Sequence, residues 1–420
     1  MKKQFLYLST LILSVVLMAG FNSCKKDSAP TALTVSSLVA GTIDLNGAVA
    51  PSNVPVKPTF VVTFTTDVAP ATVTAANITL VRDYDVAPIT LALTPSGKTI
   101  SIIPSENLAS GALHKLTFGA GLKSIDGQPL TVAVARTFTT DGFFAPSGMK
   151  AYWNFDANAN DLVGTYNPSA AINITYPAGR KATAGKSATF NGTTSIIEIP
   201  NGSALTNTNN FTLSFWVKAL ASDPAKGHFV IGLGAFWGFQ FEISGDYSSC
   251  KLAARYDVGS TEVVGLGEDL WFPGDGSTKD NGGWQGSTFH KDLRLTGGVA
   301  GLLKDKWAHV ICIYKGADKT GTMFINGEKM RQFDFDLWPD GDKKRNTTGL
   351  KYYGTAPDVY NDLAFGFIQS RRGTLWAAEP WGGYTFASAN HFKGQLDDVR
   401  IFNKAVSDAE VLLMYNSEKP

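Results

Sequence analysis

The stretch that decides the fold covers residues 211–217 and reads Phe-Thr-Leu-Ser-Phe-Trp-Val. Apolar and aromatic residues dominate it, which is typical of a β-strand. Similar stretches lie before it at 151–155 and 195–199, and after it at 307–314 and 322–325. We therefore expect residues beyond about 149 to form a β-structure of many short strands.

Two local signals add detail to this region. Asn326-Gly327 follows the stretch at 322–325, and this dipeptide is the strongest short signal for a β-hairpin. Ser407 and Glu410 are spaced as a capping box, which predicts one short helix near the end of the sequence. With 42 Gly, 19 Pro and little helical periodicity, the sequence predicts an all-β fold class.

The order of the strand-like stretches carries a family resemblance. They are similar to the laminin G-like type of concanavalin A-like jelly rolls, which implies a jelly-roll sandwich over residues 149–418. The matching stretches are 152–156 with Asp161, 188–192, 211–217, 307–310, 324–327 and 392–405 with the helix that follows. The resemblance implies a fold more than a function, because this fold hosts lectins, adhesion modules, glycanases and scaffolds.

The preceding region, residues 31–141, is poor in aromatic residues and reads as a separate module. Strand-like stretches at 59–64, 77–81, 98–103 and 113–118 are separated by turn signals. Their order, closed by Phe138-Thr139-Thr140, resembles the bacterial Ig-like domains of surface-layer proteins. The resemblance implies a β-sandwich that acts as a spacer, joined to the second module by a linker at 142–148.

The N-terminus predicts export and lipidation. Lys2 and Lys3 precede a short apolar run, so residues 1–23 read as a signal peptide. Cys24 follows an ending that resembles a lipobox, and residues 24–30 look like the tether of Gram-negative envelope lipoproteins. We expect an outer-membrane lipoprotein, on the cell surface or the periplasmic face. The alternative is an ordinary cleaved signal with a chance cysteine.

The charge balance excludes one class of partner, and the cysteine content leaves open whether the chain forms a disulfide. The sequence has 37 basic and 36 acidic residues, and removal of Lys2 and Lys3 leaves 35 basic ones, a formal charge near −1. This balance argues against nucleic acid, which calls for a basic face. Cys250 and Cys312 could form a disulfide in an oxidising compartment, or Cys312 could be a free thiol in a buried strand.

Catalytic patterns are weak in this sequence. Glucanases of the resembled fold carry Glu-x-Asp-x-x-Glu on one strand, and the sequence lacks that string. Glu242 has no second acid beside it, and Glu268 and Asp269 are adjacent, so on a strand they would face opposite sides. We therefore predict no catalytic residues, and a glycoside hydrolase is the less favoured reading.

The resemblance implies a structural Ca²⁺ in the second module. The family often holds this ion between the turn after an early strand and a closing Asp-Asp pair. The matching positions here are Asn191 and Asp397 or Asp398. Asn191 lacks the charge that an aspartate would supply to a hard cation.

Tryptophan content is the most informative feature for function. All nine Trp lie beyond residue 148, and six of them fall outside the resembled framework, in segments that look like insertions. Flat aromatic rings suit the C–H faces of sugars, and binding groups concentrate on loops. Our first-choice ligand-binding residues are Trp376, Glu379, Trp381 and Tyr384, and our second choice is Trp271 and Trp284. The alternative is that the insertions use Trp to build small cores of their own.

These observations favour an envelope lipoprotein that binds polysaccharide without catalysis through loop aromatics. Proteins with such anchors and folds commonly accompany outer-membrane glycan importers, so an importer is an expected partner by analogy. The second hypothesis is an adhesion or structural module that recognises protein. This hypothesis predicts that the loop aromatics pack inward and that an apolar patch is exposed elsewhere on the surface.

Overall fold

A computed structural model describes residues 31–47, 49–220, 223–259 and 270–420. The predicted signal peptide, the tether and the lipidation site Cys24 lie outside the described residues, so they stay predictions. The chain divides into two compact units between Gly142 and Phe143. In the described part, no helix is both long enough and apolar enough to cross a membrane.

The first unit contains a five-stranded and a four-stranded antiparallel sheet. Their orders are β2-β1-β3-β7-β6 and β5-β4-β8-β9. The strands are β1 (Val35–Ala40), β2 (Ile43–Asp44), β3 (Phe60–Phe64), β4 (Ile78–Arg82), β5 (Pro88–Ile89), β6 (Leu91–Ser96), β7 (Thr99–Pro104), β8 (Leu113–Phe118) and β9 (Val134–Thr139). The four strands that the sequence predicts here are all present.

Alternation along the strands builds the core of this unit. In β3, Phe60, Val62 and Phe64 are buried, whereas the residues between them are only partly buried. Because side chains alternate between the faces of a strand, this pattern turns one face of the sheet inward. Phe60 and Phe138 meet in the core with their ring centroids 5.2 Å apart.

The second unit begins with an eight-stranded sheet. Its order is β10-β26-β14-β21-β22-β23-β20, and β12 pairs with β26 beside this path. The strands are β10 (Met149–Trp153), β12 (Ala188–Asn191), β14 (Asn210–Ala219), β20 (Ser287–His290), β21 (Trp307–Lys315), β22 (Thr320–Ile325), β23 (Glu328–Asp334) and β26 (Lys393–Phe402). The last strand of the sequence therefore lies between β10 and β14, inside the sheet.

A seven-stranded sheet faces it, and a two-stranded ladder pairs β18 with β24. The seven strands follow the order β11-β13-β25-β15-β16-β17-β19. The strands are β11 (Ala170–Ile172), β13 (Ile196–Ile199), β15 (His228–Leu233), β16 (Phe239–Ile243), β17 (Cys250–Ala254), β18 (Tyr256–Asp257), β19 (Leu270–Phe272), β24 (Gly349–Leu350) and β25 (Leu363–Phe365).

Aromatic residues from both large sheets form the core between them. Phe215 of β14 lies edge-on to Phe241 of β16 at 5.0 Å, and Phe211 lies 5.3 Å from Phe239. Both cysteines are buried free thiols, and burial raises the pKa of Cys250 to about 12. Together with the first unit, this sandwich confirms the predicted all-β fold class.

Helices are short and local in this unit. In the described residues they are α1 (Gly298–Leu303) and α2 (Asp408–Glu418), besides short 3-10 turns. The predicted capping box is present at α2: Ser407 Oγ accepts from Glu410 N, and the Glu410 carboxylate accepts from Ser407 N. The predicted hairpin is present too, because β22 and β23 pair around Asn326-Gly327, both with positive φ.

The segment predicted as a linker begins to pack soon after its first residue. Phe144 and Ala145 are 5 % and 2 % exposed. Phe144 N donates to Ser417 Oγ of α2, and the Phe143 ring lies 5.9 Å from Arg180 Cζ. Residues 143 onward thus belong to the second unit.

Candidate functional site

One row of side chains crosses four adjacent strands on the outer face of the seven-stranded sheet. In the ladder, Phe229 pairs with Glu242, Glu242 with Lys251, and Lys251 with Trp271. Residues paired across antiparallel strands point to the same face. The alternate positions, such as Phe241, point inward and are buried in the core. We call Phe229, Glu242, Lys251 and Trp271 the cross-strand row.

Polar groups form the middle of this row. Lys251 Nζ lies 3.2 Å from Glu242 Oε1, and Gln240 Nε2 donates to Glu242 Oε2 at 2.8 Å. Lys251 and Glu242 are 29 % and 25 % exposed, so both remain open to a ligand. Among the described residues, no donor reaches Gln240 Oε1, which is buried. The row therefore offers a partly exposed carboxylate that an amide and an ammonium group hold in place.

A loop at residues 371–384, which we call the tryptophan loop, is fixed to this sheet through β13 and the residue before β25. Arg371 Nη2 binds Glu198 Oε2 at 2.8 Å, and Arg371 N donates to Glu198 Oε1. Arg372 Nη2 binds Asp362 Oδ2 at 2.5 Å. Glu198 and Asp362 are mostly buried, so the loop starts from two anchored positions.

Trp376 and Trp381 meet within the loop, with ring centroids 5.0 Å apart. Trp376 has a φ of 59°, a strained conformation for a bulky residue. Gly382 permits it, because a Cβ there would lie 2.7 Å from Trp376 Cβ. Trp376 packs against Phe236 at 5.4 Å, whereas Trp381 lies edge-on to Phe229 at 6.3 Å. The loop thus places an aromatic wall beside the cross-strand row.

A cleft of about 440 Å³ lies between this wall and the strands. It combines aromatic rings on one side with amide, carboxylate and cationic groups on the other. It is lined by Phe229, Phe236, Gln240, Glu242, Lys251, Ala253, Ala254, Arg255, Trp376, Trp381 and Asn390. Apolar pockets with a few convergent polar groups are the usual setting for ligand binding.

The other two first-choice residues lie differently. Glu379 is exposed in the turn of the loop, where its backbone N donates to Trp376 O at 2.9 Å. Tyr384 Oη donates to Thr194 O at 2.6 Å, and its ring packs edge-on against Phe367 at 5.4 Å. Neither side chain is among those that line the cleft. The structure therefore brings together the two tryptophans, and it gives Tyr384 an anchoring contact.

The second-choice residues lie at the far end of the row. Trp271 and Trp284 stack with ring centroids 6.2 Å apart and an angle of 19° between their planes. Each is 36 % exposed, close to the 40 % of Trp381. Arg331 Cζ lies 5.6 Å from the Trp284 ring. The sheet face thus carries exposed tryptophans at both ends of the row.

Other insertion tryptophans serve packing. Trp338 is 7 % exposed and lies 5.5 Å from Phe335 in the main core. Trp237 is partly buried, with Arg255 Cζ 4.8 Å from its ring. The alternative role, that insertions use Trp for local cores, therefore applies to these two. Of the three tryptophans that the sequence places in framework strands, Trp153 and Trp216 are fully buried, whereas Trp307 is only partly buried.

Asp397 and Asp398 belong to a buried group of charges in the eight-stranded sheet. We call Arg180, Asp397, Asp398, Arg400 and Glu418 the charged cluster. Arg180 binds Asp397 Oδ2 at 2.5 Å and Asp398 Oδ2 at 2.6 Å. Arg400 Nη1 binds Glu418 Oε1 at 2.6 Å. All five side chains are almost fully buried, and three carboxylates share two guanidinium groups.

A β-bulge explains how two adjacent aspartates reach the same arginine. Along a regular strand their side chains would point to opposite faces. Between β14 and β26 the register shifts, so the three steps from Asp397 to Arg400 on β26 oppose the two steps from Ser214 to Trp216 on β14. Asp398 sits in the bulge with a φ of 47°. This extra residue turns both carboxylates toward Arg180.

Protonation within the charged cluster follows from its charge imbalance. Burial, and then the charge of Asp398, raise the pKa of Asp397 to about 8. Burial also disfavours the charged form of Asp398, but Arg400 and Arg180 outweigh it and lower the pKa of Asp398. Burial raises the pKa of Glu418, which also accepts from Trp216 Nε1 at 2.6 Å. Near neutral pH Asp397 therefore retains its proton.

The predicted calcium ligands do not fit a calcium ion in this arrangement. Asp397 and Asp398 direct oxygens at arginine, whereas Ca²⁺ needs several free oxygen ligands. Asn191 pairs with Lys393, four positions before Asp397 on β26. Its Oδ1 accepts from the backbone amides of Thr193, Thr194 and Ser195. A structural Ca²⁺ elsewhere in this domain stays a prediction.

Sequence reasoning missed the polar middle of the site. Glu242 was noticed but set aside because it had no acidic neighbour, and Gln240, Lys251 and Arg255 were not singled out. One signal was available: in residues 239–243 two polar residues alternate with three apolar ones. That pattern predicts a strand with one polar face. Pairing that face with Lys251 required the sheet order.

Comparisons with known proteins place the chain by its domains. No curated protein matches the sequence. Similar solved structures include the binding domain of Paraclostridial Mosquitocidal Protein 1, with 14 % identity and a TM-score of 0.41, covering 64 % of this chain and 52 % of that one. The receptor binding domain of botulinum neurotoxin D has 14 % identity, a TM-score of 0.40 and the same coverage. This chain thus spans about half the length of those chains, and values this low carry no argument about function.

Family profiles give the sharper result. The profile of the bacterial Ig-like domain matches residues 31–140. The profile of the concanavalin A-like lectin/glucanases superfamily matches residues 191–362, within the second unit. Both matches agree with the resemblances that the sequence motifs carry. The chain therefore contains a bacterial Ig-like domain followed by a domain of the concanavalin A-like superfamily.

Proposed function

We propose that the concanavalin A-like domain binds a polysaccharide without catalysis, at the cleft between the tryptophan loop and the cross-strand row. The observation that carries this proposal is the position of exposed Trp381 above a polar floor of Gln240, Glu242 and Lys251. A sugar ring has apolar C–H faces and a rim of hydroxyl groups. The cleft supplies a partner for each of these surfaces.

The polar floor suits hydroxyl groups in particular. Each sugar hydroxyl can both donate and accept, and Glu242 offers carboxylate oxygens next to the Lys251 ammonium. Gln240 Nε2 and Lys251 Nζ hold the two oxygens of this carboxylate, so the carboxylate is fixed in position to accept from a hydroxyl group of the ligand.

The carboxylate content of the cleft supports a binding role. Hydrolysis of a glycosidic bond by the usual mechanism needs two carboxyl groups on either side of the bond. Of the described residues that line the cleft, Glu242 is the only one with a carboxylate. Bound polysaccharide is therefore expected to be released unchanged.

Affinity electrophoresis tests this proposal directly. The purified protein is run through gels that contain plant, algal or host polysaccharides. We expect one class to retard it, and the double variant Trp376→Ala/Trp381→Ala to run freely. Phe289→Ala is the control, because Phe289 is an equally exposed aromatic on the eight-stranded sheet.

Three results would contradict the proposal. The first is a folded protein that no polysaccharide retards, which would shift the assignment to a module that recognises protein. The second is full retardation of the double variant, which would place the site elsewhere. The third is release of new reducing ends from the retained polysaccharide, which would make the domain a hydrolase.

The anchor completes the proposal. We place the lipid on Cys24 and the protein at the outer membrane, with the Ig-like domain as a spacer and a glycan importer as a partner. This rests on the sequence of residues 1–30 alone. Metabolic labelling with a fatty acid should label the wild-type protein and leave Cys24→Ser unlabelled. Equal labelling of both would exclude Cys24 as the lipidated residue.

A further inference from the structure

The two groups of exposed tryptophans lie along one line on the sheet. Trp381 contacts Phe229, the first residue of the cross-strand row, and Trp271 is its last residue. Trp284 stacks on Trp271, with 6.2 Å between the ring centroids. The sequence presented these tryptophans as two separate candidate sites. The ladder makes them the two ends of a continuous surface.

The dimensions of this surface follow from the strand spacing. Neighbouring strands lie about 4.8 Å apart, so the four strands of the row span about 14 Å between their centres. The Trp381 and Trp284 rings lie 6.3 Å and 6.2 Å from the rings of Phe229 and Trp271, the two end residues of the row. A pyranose in an extended chain advances by a length close to one strand spacing. The surface therefore has room for about five rings in a row.

The middle of the surface is continuous with both ends. Lys251 is the direct ladder neighbour of Glu242 on one side and of Trp271 on the other. Its ammonium group lies against Glu242, and Glu242 lines the cleft beneath Trp381. A chain stacked on Trp381 and extended across the strands therefore passes over hydrogen-bonding groups before it reaches Trp271.

We infer that the ligand is a linear stretch of polysaccharide about five sugars long, laid across the strands from Trp381 to the Trp271–Trp284 pair. This inference rests on the proposed function and names its substrate class. Both aromatic ends and the Glu242–Lys251 pair between them belong to one site. A single sugar or a disaccharide fills only one end, so short ligands bind weakly.

The test is a length series measured on the whole protein. Oligosaccharides from disaccharide to octasaccharide are prepared by partial hydrolysis of a polysaccharide that retards the protein in gels. Their affinities are measured by calorimetry for the wild type, Trp271→Ala, Trp381→Ala and the control Phe289→Ala. Urea unfolding of each variant verifies that it is folded, which we expect because all three residues are partly exposed.

We expect affinity to rise with length and level off at about five or six sugars. Trp271→Ala should weaken binding of the octasaccharide roughly ten-fold. It should leave binding of the disaccharide nearly unchanged, because we expect the disaccharide to stack on Trp381. Trp381→Ala should weaken both ligands, and Phe289→Ala neither.

Two results overturn the inference while the proposed function stands. They are affinity that levels off at the disaccharide, and an octasaccharide that binds Trp271→Ala as well as it binds the wild type. In either case the cleft beside Trp381 would be the whole site. If no oligosaccharide or polysaccharide binds, the proposed function fails, and the inference fails with it.

Discussion

The cross-strand row and the charged cluster lie on the two facing sheets of the second unit and use the same kinds of residue. Each combines carboxylates with cations, and the charged cluster packs against the rings of Trp216 and Tyr152 as the row does against its own aromatic residues. Glu242 and Lys251 remain about one quarter exposed, whereas Arg180 and Asp397 are completely buried. The comparison teaches that exposure, and not residue type, separates a surface able to bind from a part of the framework.

The difference also has an energetic side. A partly exposed ion pair contributes about 0–1 kcal/mol to stability, because water and salt screen it. In a buried pair, loss of one partner leaves the other charge without water or a counter-ion, which costs about 3–5 kcal/mol. Substitutions in the cluster should therefore change folding, and substitutions in the row should change binding.

The largest effect is expected from Arg180→Met. This change leaves Asp397 and Asp398 buried with one arginine instead of two, and it should lower the free energy of unfolding by about 3–5 kcal/mol. Urea denaturation measures this loss. The control Lys315→Met removes an exposed pair with Asp318 and should cost at most about 1 kcal/mol. Equal losses in the two variants would refute the comparison.

A second test separates the two adjacent aspartates. Asn resembles a protonated Asp, so Asp397→Asn should be tolerated better than Asp398→Asn, by about 1–2 kcal/mol in the free energy of unfolding. The reason is that Asp397 carries the proton of the cluster, whereas Asp398 is ionised and binds both arginines. The reverse order would show that the proton resides on Asp398.

The same proton predicts a pH dependence. The pKa of Asp397 in the folded state is about 8, above its ordinary value of 3.8, so the folded chain binds one more proton between these values. Its contribution to stability is therefore complete at low pH and is lost as the pH rises through about 8. Compared with Asp397→Asn, the wild type should lose stability progressively between about pH 4 and pH 8 and level off above that. Parallel curves for the two proteins would contradict this assignment.

In the cross-strand row, Glu242→Gln should weaken polysaccharide binding and leave the stability of the fold nearly unchanged. It replaces a charged acceptor by a neutral amide of the same shape, so retarding polysaccharides should bind roughly ten-fold more weakly, which corresponds to about 1.4 kcal/mol. The free energy of unfolding should change by less than about 0.5 kcal/mol. Calorimetry and urea denaturation on one preparation give both values. A large loss of stability would show that Glu242 holds the fold together, as the charged cluster does, and is not simply a binding residue.

The smallest effect is expected from Tyr384→Phe. The change removes the hydrogen bond from Tyr384 Oη to Thr194 O and should cost about 1 kcal/mol of stability. Polysaccharide affinity should stay within about two-fold, because Tyr384 anchors the tryptophan loop outside the cleft lining. If affinity falls without a loss of stability, Tyr384 is itself a binding residue, as the sequence first suggested.

The fold could be predicted from the sequence because its signals are local. Alternation in residues 59–64, the Asn326-Gly327 turn and the Ser407–Glu410 capping box each depend on neighbours within a few positions. The structure contains all three as expected. Their order was sufficient to identify both domain families.

The site was predicted only in part, because its contacts join distant residues. Trp376 and Trp381 are close in sequence, and their pairing could be anticipated. The approach of Trp381 to Phe229 spans about 150 positions and depends on strand order. The contact between Asp397 Oδ2 and Arg180, 217 positions earlier, could not be foreseen for a similar reason. The β-bulge that turns the Asp398 carboxylate toward Arg180 also has no signal in the residue propensities.

The central position of β26 has a consequence for the order of events during synthesis. This strand pairs with β10, β12 and β14, yet it leaves the ribosome after almost every other part of the domain. The helix that follows delivers Glu418 to Arg400 later still. Long-range pairing of this kind is slow to form. The domain is therefore expected to close in a single late step, once its final residues are free to move, while the Ig-like domain can fold well before.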